Sequence, residues 1–433
     1  MGDDRGLRTA DERPAASPRS PLQAARWLAS AARGPRAAAA AFFLTLGALF
    51  AAQSTLGAVA RARAVEAPRF EVDPLWPKPL PNHWVLGNVI GVGVDANDHV
   101  LIVHRNDSFD REKEIGAVAN PKLSECCVPA PPVLEFDPAG NLVKAWGGPG
   151  QGYAWPVSNH GIAIDHKNNV WIGGNGTCPP PGTPECPAGT IDSFILKFTH
   201  DGTLLKQIGL AHQRTNSNAT THFGRVAKIA FDPAANEAFV ADGYSNRRVA
   251  VIDMDDGRIK RFWGAYGNVP SDSNLGPYDP AAPPAPQFRT PVHCADPSAD
   301  GLVYVCDRVN DRIQVFEKSG RFVKEKLIKP ATRGDGSVWD IAFSRDPRQR
   351  YLYVADGKNE KVYVLERQSL AILTAFGDGG RQPGQFFAVH SIATDSKGNI
   401  YTTETYEGKR VQKFVYKGIG TVAADQGVVW PKR

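Results

Sequence analysis

Three histidines recur at one position of an internal repeat. The chain reads His160-Gly-Ile-Ala-Ile-Asp165, His293-Cys-Ala-Asp296 and His390-Ser-Ile-Ala-Thr-Asp395. Ten residues after each histidine stands a β-branched aliphatic followed by an aromatic: Val170-Trp171, Val303-Tyr304 and Ile400-Tyr401. Equal internal spacing puts the three histidines at the same point of three copies of one structural unit. A repeat of this kind constrains the fold more than local propensity does, because its units bury their apolar faces by stacking on one another.

The unit is an apolar strand ending near aspartate, a polar turn, a second strand with a polar end, and two further strands. Unit one holds Gly91-Val-Gly-Val-Asp95, Val100-Leu-Ile-Val-His-Arg105, Val133-Leu-Glu-Phe136 and Leu142-Val-Lys-Ala-Trp146. The pattern returns from Ile162, Ile229, Val303, Ile341 and Ile392, so there are six units. Alternating apolar and polar residues bounded by Asp-Gly, Asp-Pro and Lys-Gly turns are a strand signal. No amphipathic helix stands out. Four-stranded units repeated around a ring predict an all-β fold, a six-bladed β-propeller. The sixth unit has a weak fourth strand, which the segment from Phe70 to Leu75 would supply. Pro- and Gly-rich inserts at 110–132, 177–190 and 270–289 read as surface loops crowning one face.

Residues 1–68 differ from the rest. An apolar run at 37–52 follows Arg33 and Arg36, and Ala58-Val59-Ala60 fits a small-residue cleavage site. These features predict a disordered n-region and an export signal ahead of a propeller domain at 69–433. The run is shorter than the ~20 residues that span a bilayer. The expected location is therefore secreted or periplasmic, with membrane anchoring only if the segment stays uncleaved. Export permits disulfides. Of the six cysteines, Cys178 and Cys186 flank a Pro-rich loop and are expected partners. Cys294 and Cys306 fall on adjacent strands of one unit, and vicinal Cys126 and Cys127 could join each other only in a strained ring. With no CxxC pair, a thiolate zinc site is not expected. A net charge of +5 with no concentrated basic stripe argues against nucleic acid as a partner.

The first strand of each blade begins close to the axis, so its first residues face the channel mouth. His160, His293 and His390 belong to units two, four and six, which alternate around the ring. Three imidazoles about a pseudo-threefold axis suit a metal with three protein ligands and one open position. Neutral imidazole favours Zn²⁺, with Cu, Fe or Ni also compatible. The equivalent positions of units one, three and five fall near Ile90, Lys228 and Asp340. The remaining histidines, His83, His99, His166, His212 and His222 among them, read as surface or loop residues. Arg247 and Arg312 read as turn-stabilising.

The His-Arg105 pair, the Asp242-Gly-Tyr-x-Asn-x-Arg and Asp307-Arg-x-Asn-x-Arg-Ile-Gln runs and the repeated histidines together resemble the peptidyl-α-hydroxyglycine α-amidating lyase family, within the broader NHL-repeat propellers. The resemblance covers about residues 85–416. It implies a zinc lyase that splits a carbinolamide into an amide and glyoxylate, with His160, His293 and His390 as zinc ligands. It further implies Tyr244 as the base and Arg105 and Arg308 as carboxylate-orienting groups. General chemistry agrees: zinc polarises a hydroxyl, neighbouring cations favour a tyrosinate, and arginine grips a carboxylate with a bidentate fork. The chain departs from the family at Ala388, where a methionine is expected. It departs again at Ser391, in place of an aspartate that helps hold a structural Ca²⁺, so the resemblance does not carry a calcium site through the Val89 and Ile162 carbonyls. Ser245 stands where a family cysteine would pair, and no copper monooxygenase domain is expected beside the propeller. The expected substrate is a small-molecule or peptide-derived carbinolamide, hydroxy acid or ester. A lactonase-like metal hydrolase and a non-catalytic binding propeller are the alternative expectations.

Overall fold

The fold follows from where the strands can hide their apolar faces. The computed structural model describes residues 64–213 and 215–431; the export signal expected within 1–68 falls on residues almost wholly outside these. The described chain builds six four-stranded antiparallel sheets. Blade I contains Asn88–Val94, Val100–Arg105, Val133–Phe136 and Leu142–Trp146. Blade II begins at Asn159–Ile164, blade III at Val226–Asp232, blade IV at Val292–Pro297 and blade V at Asp340–Phe343. Blade VI joins Val389–Thr394, Ile400–Glu404 and Arg410–Val422 to the amino-terminal strand Val65–Asp73, which pairs antiparallel with Arg410–Val422. Strands from both ends of the described chain thus complete one blade, and the inner strands touch pairwise around a closed ring.

The burial patterns give the physical reason. Second strands such as Tyr351–Asp356 and Glu237–Asp242 are buried along their whole length, while a fourth strand such as Leu204–Gly209 alternates between covered and exposed residues. The apolar faces meet in six clusters, one in each interface between neighbouring blades. Radial stacking therefore substitutes for a single central core and leaves the axis free for polar groups. Among the described residues there is no α-helix, and the short helical turns are all 3₁₀.

Hairpins between the third and fourth strands reuse one device. Gly202 and Gly320 sit at φ +90° and +95° against Trp146 and Trp263, where a Cβ would come within 2.6 Å and 2.9 Å of the ring. Only glycine meets both demands. At the opposite end, where the first strands begin, acid–base pairs tie the second strand to the third in blades III, IV and VI. Arg248 bonds Asp242 at 2.8 Å, Arg312 bonds Asp307 at 2.7 Å and Arg410 bonds Glu404 at 2.6 Å. The stabilising arginine of blade III is therefore Arg248 and not Arg247, whose guanidinium instead reaches the carbonyls of the 270–289 loop.

Three disulfides join Cys126 to Cys127, Cys178 to Cys186 and Cys294 to Cys306. The last links the first two strands of blade IV, with both cysteines fully buried and 12 residues apart. Closing a loop of that length restricts the unfolded chain by about 3 kcal/mol. The Cys294→Ala/Cys306→Ala protein is expected to lose about 2–4 kcal/mol in reversible denaturant unfolding; an unchanged midpoint would show that packing alone holds the pair of strands.

Candidate metal centre

A bulge in each inner strand aims the histidines. Strand pairing slips between His160 and Ile162, between Val292 and Cys294, and between Val389 and Ile392. A bulge breaks the two-residue alternation and re-aims one side chain. The same slip occurs between Val89 and Gly91 and between Val226 and Lys228. Ile90 and Ala227 therefore hold the equivalent positions of blades I and III. In blade V that position is Trp339, five residues before Ser344 as His160 is five before Asp165. The sequence-based placement, given to within a residue or two, falls on Ile90 and one residue from Ala227 and Trp339; in blade III alternation alone does not reveal the bulged residue.

The three imidazoles meet on the axis. His160, His293 and His390 are 1%, 2% and 3% exposed. Their ring centroids are 5.3 Å (His160–His293), 4.9 Å (His160–His390) and 4.9 Å (His293–His390) apart. One ligand nitrogen from each lies within 4.8 Å of the others. The neighbouring blade orients each ring. His160 Nδ1 donates to the Ala227 carbonyl at 2.8 Å, and His293 Nδ1 donates to the Trp339 carbonyl. His390 Nδ1 donates to Ser391 Oγ at 3.2 Å, and that hydroxyl donates to the Ile90 carbonyl at 3.1 Å. A Ser391 hydroxyl thus relays to Ile90 what the other two rings give directly. With the proton fixed on Nδ1, each Nε2 presents a lone pair.

Tyr244 Oη lies 3.0 Å from His160 Nε2 and 3.0 Å from His293 Nε2. One phenol proton cannot serve two acceptors, and His390 Nε2 adds a third lone pair. A group of lone pairs short of protons is what a cation satisfies, so the residues present fit a divalent metal. Burial, reinforced by the Arg105 and Arg308 guanidiniums, pushes the His160 imidazole down to about 3, and burial likewise holds His293 and His390 well below the usual histidine range. The rings are neutral and ligand-competent. Between about pH 3 and 6.5 the unfolded chain therefore binds protons that the folded rings refuse. Stability of the metal-free protein is expected to rise with pH across that window. A urea-unfolding series should show a shallower rise for His160→Gln, and an identical slope would contradict the burial argument.

Arg105 and Arg308 border this mouth. Arg105 donates to Asn175 Oδ1 at 2.8 Å and towards the Asn159 carbonyl at 3.5 Å, and no carboxylate pairs with it among the described residues. Arg308 is 6% exposed, lies 4.3 Å above the Trp339 ring and donates to the Asp335 carbonyl at 2.8 Å. Its contact with the Asp335 carboxylate is longer, at 3.4 Å. Both guanidiniums keep capacity for an anion. Tyr406 stands close enough to both to feel their charge. Sequence reasoning missed Tyr406, Trp339, Asn159 and Asn175; in retrospect the repeat position of Trp339 was the available signal. Next along the axis, Lys228 Nζ binds Asp340 Oδ1 at 2.6 Å and Asp296 Oδ1 at 2.9 Å. Burial opposes its charge, but the two carboxylates outweigh it and hold the ammonium above its usual range.

Two histidines expected at the surface or in loops are buried. His212 is 5% exposed, with Nδ1 3.6 Å from Asp192. His104, fully buried, accepts from the Gly87 amide and donates to the Pro131 carbonyl, a structural role.

No family model matches the chain. Over 340 residues it is 28% identical to peptidyl-glycine alpha-amidating monooxygenase B of Xenopus laevis, covering 74% of this chain and 33% of that protein. The chain thus spans about a third of that relative's length. NHL repeat-containing protein 3 of Mus musculus is 23% identical over 370 residues, covering 81% of this chain and 85% of the relative. A probable peptidyl-alpha-hydroxyglycine alpha-amidating lyase of Caenorhabditis elegans is 23% identical over 289 residues, covering 64% and 69%. Among solved structures, virginiamycin B lyase from Staphylococcus aureus aligns with TM-score 0.44 and 13% identity, over 80% of this chain and 99% of that one. The chain is similar to NHL-repeat propellers and to amidating enzymes.

Proposed function

We propose that this propeller is an exported, metal-dependent lyase that splits an α-hydroxyglycine-like carbinolamide into an amide and glyoxylate. The observation that carries the reading is the meeting of three buried Nε2 atoms with Tyr244 Oη, 3.0 Å from two of them, beneath two guanidiniums with anion-binding capacity to spare. His160, His293 and His390 would hold the ion, with zinc favoured by an all-imidazole set. Such an ion supplies Lewis acidity that polarises the substrate's hydroxyl. Arg105 and Arg308 grip the substrate carboxylate and fix its α-carbon over the channel. Tyr244 Oη, as the phenolate, accepts the hydroxyl proton, the O–H electron pair becomes the C=O of glyoxylate, and the C–N bond breaks. Its electron pair goes to nitrogen, which takes up the proton that Tyr244 accepted and leaves as the amide. The similarity to amidating enzymes supports an enzymatic role, and three disulfides support a secretory or periplasmic compartment. The decisive assay is glyoxylate release from α-hydroxyhippurate by protein purified without chelators. Release that the Tyr244→Phe variant lacks supports the reading, and no release from metal-replete protein overturns it.

A second reading is a binding propeller without chemistry. Likeness to an NHL repeat-containing protein over most of both chains favours it. A metal-replete protein inert towards carbinolamides and lactones would decide for it.

A further inference from the structure

One hairpin of blade I breaks a pattern that blades II and VI share, at the opposite end of the strands from the histidines. In blades II and VI the hairpin between the first two strands is closed around an aspartate. Asp165 Oδ2 accepts from Asn169 Nδ2 at 3.0 Å and Trp171 Nε1 at 2.9 Å. Asp395 Oδ2 accepts from Asn399 Nδ2 at 2.7 Å and Tyr401 Oη at 3.1 Å. A third-strand lysine, Lys197 or Lys413, pairs across from that aromatic and lies over its ring. Blade I keeps the aspartate as Asp95 but replaces all three of its companions. The asparagine becomes His99, the aromatic becomes Leu101 and the lysine becomes Glu135. Asp95 Oδ1 still caps the turn amides of Asn97 and His99. Its Oδ2 has lost both donors.

The replacements converge. His99 Nδ1 lies 2.6 Å from Glu135 Oε1. His200, from the outer hairpin of blade II, brings Nε2 to 3.1 Å from the same oxygen and 4.0 Å from Asp95 Oδ2. Ligand atoms of Asp95, His99 and Glu135 all lie within 4.8 Å of one another. Edges of about 3.3 Å are expected between ligands of a tetrahedral zinc with bonds near 2.0 Å, so these three need only small adjustments, and His200 adjoins two of them, Glu135 and Asp95. The carboxylates are buried, their side chains 1% and 4% exposed. Glu135 Oε2 has no hydrogen-bond partner among the described residues. An orphaned buried carboxylate oxygen is costly and calls for an ion or a donor. Burial alone would raise the Glu135 carboxyl, but its bonds to His99 and His200 outweigh that and hold it ionised. The imidazoles remain reachable, at 30% and 22% exposure, which gives an ion an entry path.

We propose that Asp95, His99, Glu135 and His200 form a second divalent transition-metal site of zinc type that clamps blade I to blade II. Two imidazoles and two carboxylates suit Zn²⁺ and exclude Ca²⁺ or Mg²⁺ as the preferred ion. The test is titration of chelator-stripped full-length protein with Zn²⁺ alone, against a chromogenic competitor. The variant His99→Asn/His200→Gln restores at position 99 the residue that blades II and VI use, so its fold is expected to persist. It is expected to bind about one equivalent fewer than wild type. His293→Ala, which touches only the axial site, should keep that equivalent together with a Zn²⁺-dependent rise in unfolding temperature. Equal stoichiometry in wild type and His99→Asn/His200→Gln would overturn the proposal, leaving a hydrogen-bonded ion cluster only. So would a His293→Ala protein that takes up no Zn²⁺. Failure of the axial site alone leaves one equivalent that the double variant abolishes, so the two readings fail independently.

Discussion

His293→Ala is expected to cost the axial metal and to lower kcat/KM for a carbinolamide by about 10⁴-fold, since a metal's charge stabilisation is worth several kcal/mol and each 1.36 kcal/mol is tenfold. The loss should be this large because nothing nearby can substitute. The His293 ring is 2% exposed, its Nδ1 is committed to the Trp339 carbonyl, and the closest polar side chain, Tyr244, is itself part of the site. Two imidazoles alone rarely hold zinc against dilution. The fold should survive, because the ring lies on the axis and outside the six apolar clusters between blades. Circular dichroism and unfolding midpoints would separate a lost ion from a lost structure. Retained turnover in a folded, metal-free variant would remove the axial ion from the chemistry.

Tyr244→Phe carries the second large effect. A positioned proton acceptor contributes about 10²–10⁴-fold, and the loss should fall on kcat. The phenyl ring can keep the edge contacts that Tyr244 makes with His160 and His293 at 4.9 Å and 5.7 Å between centroids. Only the oxygen goes, so metal content should stay at the wild-type level and KM should move little. Arg308→Ala should behave in the opposite way, raising KM for a carboxylate-bearing substrate. A Tyr244→Phe protein with wild-type kcat would assign the phenol an orienting or structural part, and the proton would need another acceptor.

Much of this arrangement can be read from residue order, and the exceptions share a cause. Strand alternation and turn residues gave six blades, and the ten-residue offset from each histidine to an aliphatic–aromatic pair gave the alternating triad. The closure by an amino-terminal strand followed from a weak sixth unit. What residue order hides is bulge placement. One extra residue in the inner strand shifts the channel-facing position of blade III from Lys228 to Ala227, and the matching position of blade V is Trp339 and not Asp340. The same blindness concealed the part played by Ser391, whose hydroxyl bridges His390 to the Ile90 carbonyl across the seam of the ring. Burial of His104 and His212 was hidden too, because the loops that cover them have no periodicity. The departure at Asp95, His99 and Glu135 was visible only once pairing partners in blades II and VI were known.

The central claim is that three imidazoles share one ion on the axis. X-ray absorption at the zinc edge tests it most directly, on His99→Asn/His200→Gln protein purified without chelators so that only the axial site reports. The expected spectrum has three nitrogen scatterers at about 2.0–2.1 Å with imidazole multiple scattering, plus one light atom. The signal should vanish in the same background carrying His160→Ala. Protein that holds no zinc or other transition metal, or holds one in a shell without imidazole, would contradict the account.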